Sequence, residues 1–150
     1  LPSLRHIHIR NVNCMFSLID MINTLAGGAV AKTLELLELS HIHEIKFMLA
    51  PTDQGVPQPT DGFVSLKTLV IALSNMVTSE SVFDCLNLAP YLKSLSLISC
   101  CSISGQLMKM MPSLASSLQR FVYSASCIDS PEDIARVAKA MPLCVFVPIP

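Results

Sequence analysis

Six cysteines and two His-Ile-His phrases are the residues of this chain best suited to chemistry. Cys100 and Cys101 stand side by side, directly after the alternating apolar run "LKSLSLIS". Cys14, Cys85, Cys127 and Cys144 also lie in apolar contexts. An even cysteine count is compatible with a disulfide framework. A chain of 150 residues that is 51% apolar, however, can build its core without covalent staples. Adjacent cysteines also bridge poorly to each other, because the ring they close strains the peptide between them. The expectation is reduced, buried thiols, as in an intracellular protein of the cytoplasm or nucleus.

On a strand, His6 and His8 point to the same face, which is the geometry of a two-His zinc pair. Glu38 becomes a conceivable third ligand if its strand lies next door. Two solvated histidines beside a carboxylate produce the same pattern, and that is the reading adopted here, with no metal and no cofactor expected. His41 and His43 are assigned to a turn after the second strand. No nucleophile elbow or phosphate-binding glycine loop accompanies these residues. The cysteines fall where a core should be, far in the chain from His6 and His8, and the expectation is a non-enzymatic protein.

Charged residues make up only 14% of the chain and the net charge is −1. No run of lysines and arginines marks a nucleic-acid or anionic-membrane partner. The longest apolar stretches are short, and "MPLCVFVPIP" is broken by prolines. None approaches the ~18 residues of a membrane span, and no signal peptide is seen. The opening "LPSLRHIHI" already carries a core pattern and lacks an initiator Met. The chain is therefore expected to be a fragment, preceded by more repeats or another domain.

The elements that must position these residues recur. The pattern L-x-x-L-x-L, with a small or inward residue at the ninth place, begins at Leu4, Leu34, Leu66, Leu92 and Leu118, and a less certain copy begins at Leu143. It puts short strands at Ile7–Ile9, Leu37–Leu39, Leu69–Ile71, Leu95–Leu97 and Phe121–Tyr123. Helices fit between them. In "MFSLIDMINTLAGG" a stripe of Phe16, Ile19, Ile22 and Leu25 ends at Gly27–Gly28. In "SESVFDCLNLAPYL" Val82, Cys85 and Leu86 face inward and Pro90 ends the helix. "SGQLMKMMPSLASSL" is helical in part, with Pro112 as a break or a second start. In "DSPEDIARVAKAM" Ser130 caps, Pro131 takes the first position, and Ile134, Val137, Ala138 and Met141 share a face. "PTDQGVPQPTDG", residues 51 to 62, reads as a loop that lengthens the second unit. Pro142, Pro148 and Pro150 surround the last strand-like run, as either a loop tail or a cap on the sheet edge.

This repetition resembles the leucine-rich repeat over nearly the whole of residues 1–150, as one domain of about five to six repeats. The resemblance implies an α/β solenoid, or horseshoe, with a parallel concave sheet and convex helices. It also explains the paired cysteines: the ninth position turns the chain out of the strand and satisfies backbone groups left by the ladder, and the family places Asn or Cys there. Cys100 takes that place, Ser74 and Ser126 take it in the flanking copies, and Val12 and Ile42 depart from it. With its 26-residue steps, its Cys and phrases such as "APYLKSLSL", the chain looks like the repeat region of F-box-type leucine-rich proteins. In those an upstream F-box joins a ubiquitin ligase and the repeats select the substrate, so ubiquitin-ligase components are implied partners through a region outside these residues. The alternatives are an intracellular immune or signalling sensor and a small-GTPase regulator.

In such an architecture positions three, five and seven of each repeat face out from the sheet. They are His6, His8, Arg10; Leu36, Glu38, Ser40; Thr68, Val70, Ala72; Ser94, Ser96, Ile98; and Arg120, Val122, Ser124. An apolar centre at Leu36, Val70, Ala72 and Ile98 with a polar rim has the anatomy of a protein-binding patch. The expected partner is another protein on this concave surface. Coverage by another part of the full chain is the competing reading.

Overall fold

The computed structural model describes residues 4–14, 18–44, 62–74, 78–100 and 103–150, with only the backbone of 12–14, 18–20 and 43–44. The expectations for Phe16, Ile19, Cys101, the side chains of Val12, Cys14 and His43, and the loop through residue 61 lie outside these.

Alternating apolar residues form six strands: β1 (His6–Cys14), β2 (Leu36–Glu44), β3 (Thr68–Ala72), β4 (Ser94–Ile98), β5 (Arg120–Ser124) and β6 (Val145–Ile149). They pair in sequence order, all parallel, in one sheet. Among the described residues four α-helices form return legs between strands: α1 (Leu18–Gly27), α2 (Ser79–Leu88), α3 (Gly105–Leu114) and α4 (Pro131–Ala140). Parallel crossovers are right-handed. Because the strand order never reverses, that handedness puts every helix on the same face of the sheet. Burial agrees. Leu37, Leu39, Leu69, Ile71, Leu95, Leu97 and Phe121 are closed off at 0–1% exposure and join Ile22, Val82, Leu86, Met108, Met111 and Val137 of the helices in one core. The residues between them on each strand stay partly open.

Local chemistry accounts for the ends of the helices. Thr78 caps α2 in a reciprocal box with Ser81. Ser104 caps α3 by accepting from the Leu107 N–H. Ser130 stands before α4 with Pro131 at its start, but its side chain makes no cap bond. Pro112 neither breaks α3 nor begins a new helix. It sits inside α3, which closes two residues later at Leu114.

Each strand is entered and left in a repeating way. At entry, one carbonyl accepts two successive N–H groups from the next unit. Arg5 O takes Glu35 and Leu36, Glu35 O takes Lys67 and Thr68, Lys67 O takes Lys93 and Ser94, and Lys93 O takes Gln119 and Arg120. At exit, the backbone passes through the left-handed region at Asn11 (φ 55°), His41 (φ 54°), Leu73 (φ 51°) and Ser99 (φ 48°). These four occupy the same place in their units, and none is glycine. His41 therefore lies within β2, at a kink, and not in a turn after it; pairing with β1 resumes at Val12–Ile42.

Two expectations shift by one residue. In the fifth unit a 3-10 turn, Ala125–Cys127, replaces the left-handed residue. Ser126 is exposed and Cys127 is fully buried in its place. In the sixth unit Leu143 is 88% exposed while Cys144 enters the core. Here only Val145 bonds to the Gln119 carbonyl, so the doubled entry is missing and the inward place falls one residue later.

Candidate functional site

Strand register lines up the open face in rows. One row runs His6, Leu36, Thr68, Ser94, Arg120 and Val145, and the next His8, Glu38, Val70, Ser96, Val122 and Val147. A third holds Arg10, Ser40, Ala72 and Ile98. All thirteen residues singled out for this surface lie on it: His6, His8, Arg10, Leu36, Glu38, Thr68, Val70, Ala72, Ser94, Ser96, Ile98, Arg120 and Val122. Two further residues read as outward do not belong. Ser40 is 6% exposed, and Ser124 is 1% exposed with its Oγ accepting the Ser99 N–H at 2.9 Å. Ser124 thus takes a backbone donor from the neighbouring left-handed turn, a structural task.

Glu38 gathers the polar groups at the β1 side. His8 Nδ1 donates to its Oε2 at 2.8 Å and Arg10 donates to its Oε1 at 2.6 Å. The His8 hydrogen bond, followed by the Arg10 bond and charge, holds the Glu38 carboxyl below its ordinary range against a partial loss of solvent. With both oxygens engaged, Glu38 works as an anchor for two side chains. Among the described residues no group of three or more His, Cys, Asp or Glu is placed to hold a metal ion.

The cysteines build a ladder under the strand exits. Ser74 Oγ donates to Ile42 O at 2.8 Å, Cys100 Sγ to Ile71 O at 3.3 Å, and Cys127 Sγ to Cys100 O at 3.1 Å. The Cys100 N–H in turn meets Cys127 Sγ at 3.1 Å. These thiols stitch consecutive units together through backbone groups the strands no longer pair. Cys85, Cys127 and Cys144 are free thiols. Burial, aided by Asp84, pushes the Cys85 thiol up to about 12, and burial also raises Cys144. A thiol so placed carries almost no thiolate at neutral pH. Native protein treated with a disulfide reagent is therefore expected to leave Cys85 and Cys144 unmodified until denaturant is added. Mass mapping of the labelled peptides checks this, and prompt labelling of Cys85 in the folded state would contradict the burial.

A row of cations went unnoticed in the sequence because its members are far apart along the chain. The doubled carbonyls at strand entry place Arg5, Glu35, Lys67, Lys93 and Gln119 side by side, and Arg120 stands next to Gln119. Lys67 and Lys93 are exposed, as is Arg120. On the helix side, a cleft of about 900 Å³ opens between the starts of α2 and α3, lined by Thr78, Glu80, Phe83, Asp84, Gln106 and Met110 among others.

No helix among the described residues is long and apolar enough to cross a membrane. Comparison with protein-family models and with characterised proteins finds no match for the chain.

Proposed function

We propose that the chain is a leucine-rich repeat solenoid and that it works as a non-catalytic protein-binding module through its open sheet face. The observation that carries this reading is the row-by-row register, which sets Leu36, Val70, Ala72, Ile98 and Val122 together as a half-buried apolar surface that no helix covers. Exposed apolar area bounded by polar groups is the arrangement that protein interfaces use. The unit of strand, left-handed exit, inward Ser or Cys and returning helix supports the repeat reading. The Cys100 and Cys127 positions favour the F-box-type variety, with the repeats selecting a substrate for a ubiquitin ligase. An intracellular sensor or a small-GTPase regulator would use the same face.

Truncating or charging a central anchor commonly costs ~2 kcal/mol or more of binding. Val70→Asp and Ile98→Asp are expected to abolish recovery of the partner in a pull-down while the protein still melts as a folded chain, because both side chains point away from the core; Val70→Asp lowers the melt the more, since it faces Glu38. Arg10→Ala is milder, since rim charges act mainly on association rate. Normal binding by both aspartate variants, with loss of binding in the helix-side variant Lys139→Glu, would refute the open-face reading.

A further inference from the structure

Charge is segregated along the strand direction. Glu80, Asp129, Glu132 and Asp133 lie at or near helix starts beyond the strand exits, where acidic groups complement the helix dipole. The cations at the opposite end have no such explanation. The last turns of α1, α2 and α3 contain no basic residue. Lys67 and Lys93 stand instead on neighbouring strand entries, one sheet spacing or ~4.8 Å apart, and Arg120 stands one residue off that row, next to Gln119 and opposite Ser94. Glu35 serves Arg5 at 3.8 Å and Lys67 only at 4.0 Å. Among the described residues neither Lys93 nor Arg120 has an ion-pair partner.

Like charges on neighbouring strands destabilise a sheet. In a protein of net charge −1, Lys67 and Lys93 are neighbours with Arg120 diagonal to Lys93 and no acid between the last two, and an anionic partner would relieve the repulsion among them. The adjoining face supplies Leu36, Val70 and Val122, and apart from the His6 and His8 imidazoles at its β1 margin its rows carry no Phe, Tyr or Trp. Single-stranded nucleic acid needs such stacking platforms as well as positive charge. An extended polypeptide needs only charge and shallow apolar seats.

We propose that the Lys67–Lys93–Arg120 edge of the open face binds an acidic, extended segment of a partner protein, which crosses the strands with its acidic side chains on these cations and its apolar ones on Leu36, Val70 and Val122. This rests on the open-face reading above and adds the chemistry of the ligand. Crossing from β2 to β5 spans ~14 Å at the sheet spacing, so a segment of about five extended residues covers it.

The probe is a fluorescein-labelled peptide of about that length alternating Glu with Leu, titrated with the protein by fluorescence anisotropy. Versions with Gln or Lys in place of Glu, and a labelled oligothymidylate, are run alongside. The Glu peptide is expected to bind on the order of tenfold tighter than the Gln peptide, and the advantage fades in ~0.5 M salt. Lys93→Glu/Arg120→Glu removes the advantage, and its thermal melt stays at or above that of the parent. Equal binding of the Glu, Gln and Lys peptides overturns the proposal, as does undetectable binding of the Glu peptide or equal or tighter binding of the oligonucleotide. Val70→Asp separates the two readings. If the Gln peptide binds, Val70→Asp abolishes that binding and Glu confers no advantage, then the open face stands and the acidic ligand falls. If the Glu peptide's preference survives Val70→Asp unchanged, the cationic edge acts alone and the apolar face reading fails.

Discussion

Phe121→Ala is expected to lower the unfolding free energy by ~3–5 kcal/mol, the range for emptying a large aromatic site in a closed core. Phe121 is fully buried. Its ring stacks on Tyr123 of the same strand, with centroids 5.2 Å apart, and meets the edge of Phe146 on β6 at 5.8 Å. Such pairs add to the area term. The truncation therefore opens a cavity and also frees the edge strand that leans on it. A domain of this size has roughly 5–15 kcal/mol in total, so the variant sits near the limit of folding. Denaturant titration followed by circular dichroism measures the change, with Phe121→Leu, which loses the ring contacts but leaves a smaller cavity, as a control expected to lose less than the alanine. A loss below ~1 kcal/mol for the alanine would mean that the ring is not the keystone its contacts indicate.

Gly62→Ala is the second large effect, expected at ~2–5 kcal/mol from two sources. Gly62 has φ +60°, where a Cβ costs ~1–2 kcal/mol. That Cβ would also collide with the Leu88 carbonyl oxygen and lie 3.2 and 3.3 Å from its carbonyl carbon and Cα. The carbonyl has no room to retreat, because it accepts the N–H of Phe63 at 2.7 Å and Phe63 is a core residue at 1% exposure. Overpacking against backbone accounts for the remaining ~1–3 kcal/mol. Gly27→Ala is the internal control. A Cβ there meets nothing within 4 Å, and the change is expected to be neutral or to stabilise α1 by up to ~1 kcal/mol. Equal melting temperatures for the two alanine variants would rule out the steric argument.

The strands and helices were legible because their periods are. "SLSLI" alternates and "IARVA" repeats on a helical face, and both became what those periods demand. The parallel order followed from unit spacing alone. The strand exits were opaque for a physical reason. Left-handed backbone normally announces itself as Gly or Asn, yet His41, Leu73 and Ser99 occupy it here, so their side chains carry no signal of the φ they adopt. One-residue shifts were equally silent. Leu143 and Cys144 are both apolar, and only the loss of a doubled carbonyl decides which turns inward. Ser126 fitted the repeat count, but a 3-10 turn consumes one more residue and gives the place to Cys127. The outward positions at the strand centres are partly open, whereas Ser40 and Ser124 are buried, and at Ser124 the reason is the neighbouring exit, whose Ser99 N–H its Oγ accepts. The cationic edge escaped because charge patterning searches for neighbours in the chain, whereas Lys67, Lys93 and Arg120 become neighbours only through strand pairing.

The monotonic strand order sets β1 and β6 at opposite margins of the sheet, five spacings or ~24 Å apart. No short turn can join them: a linker engineered between the two strands has to cross the full width of the sheet, which takes at least about seven extended residues.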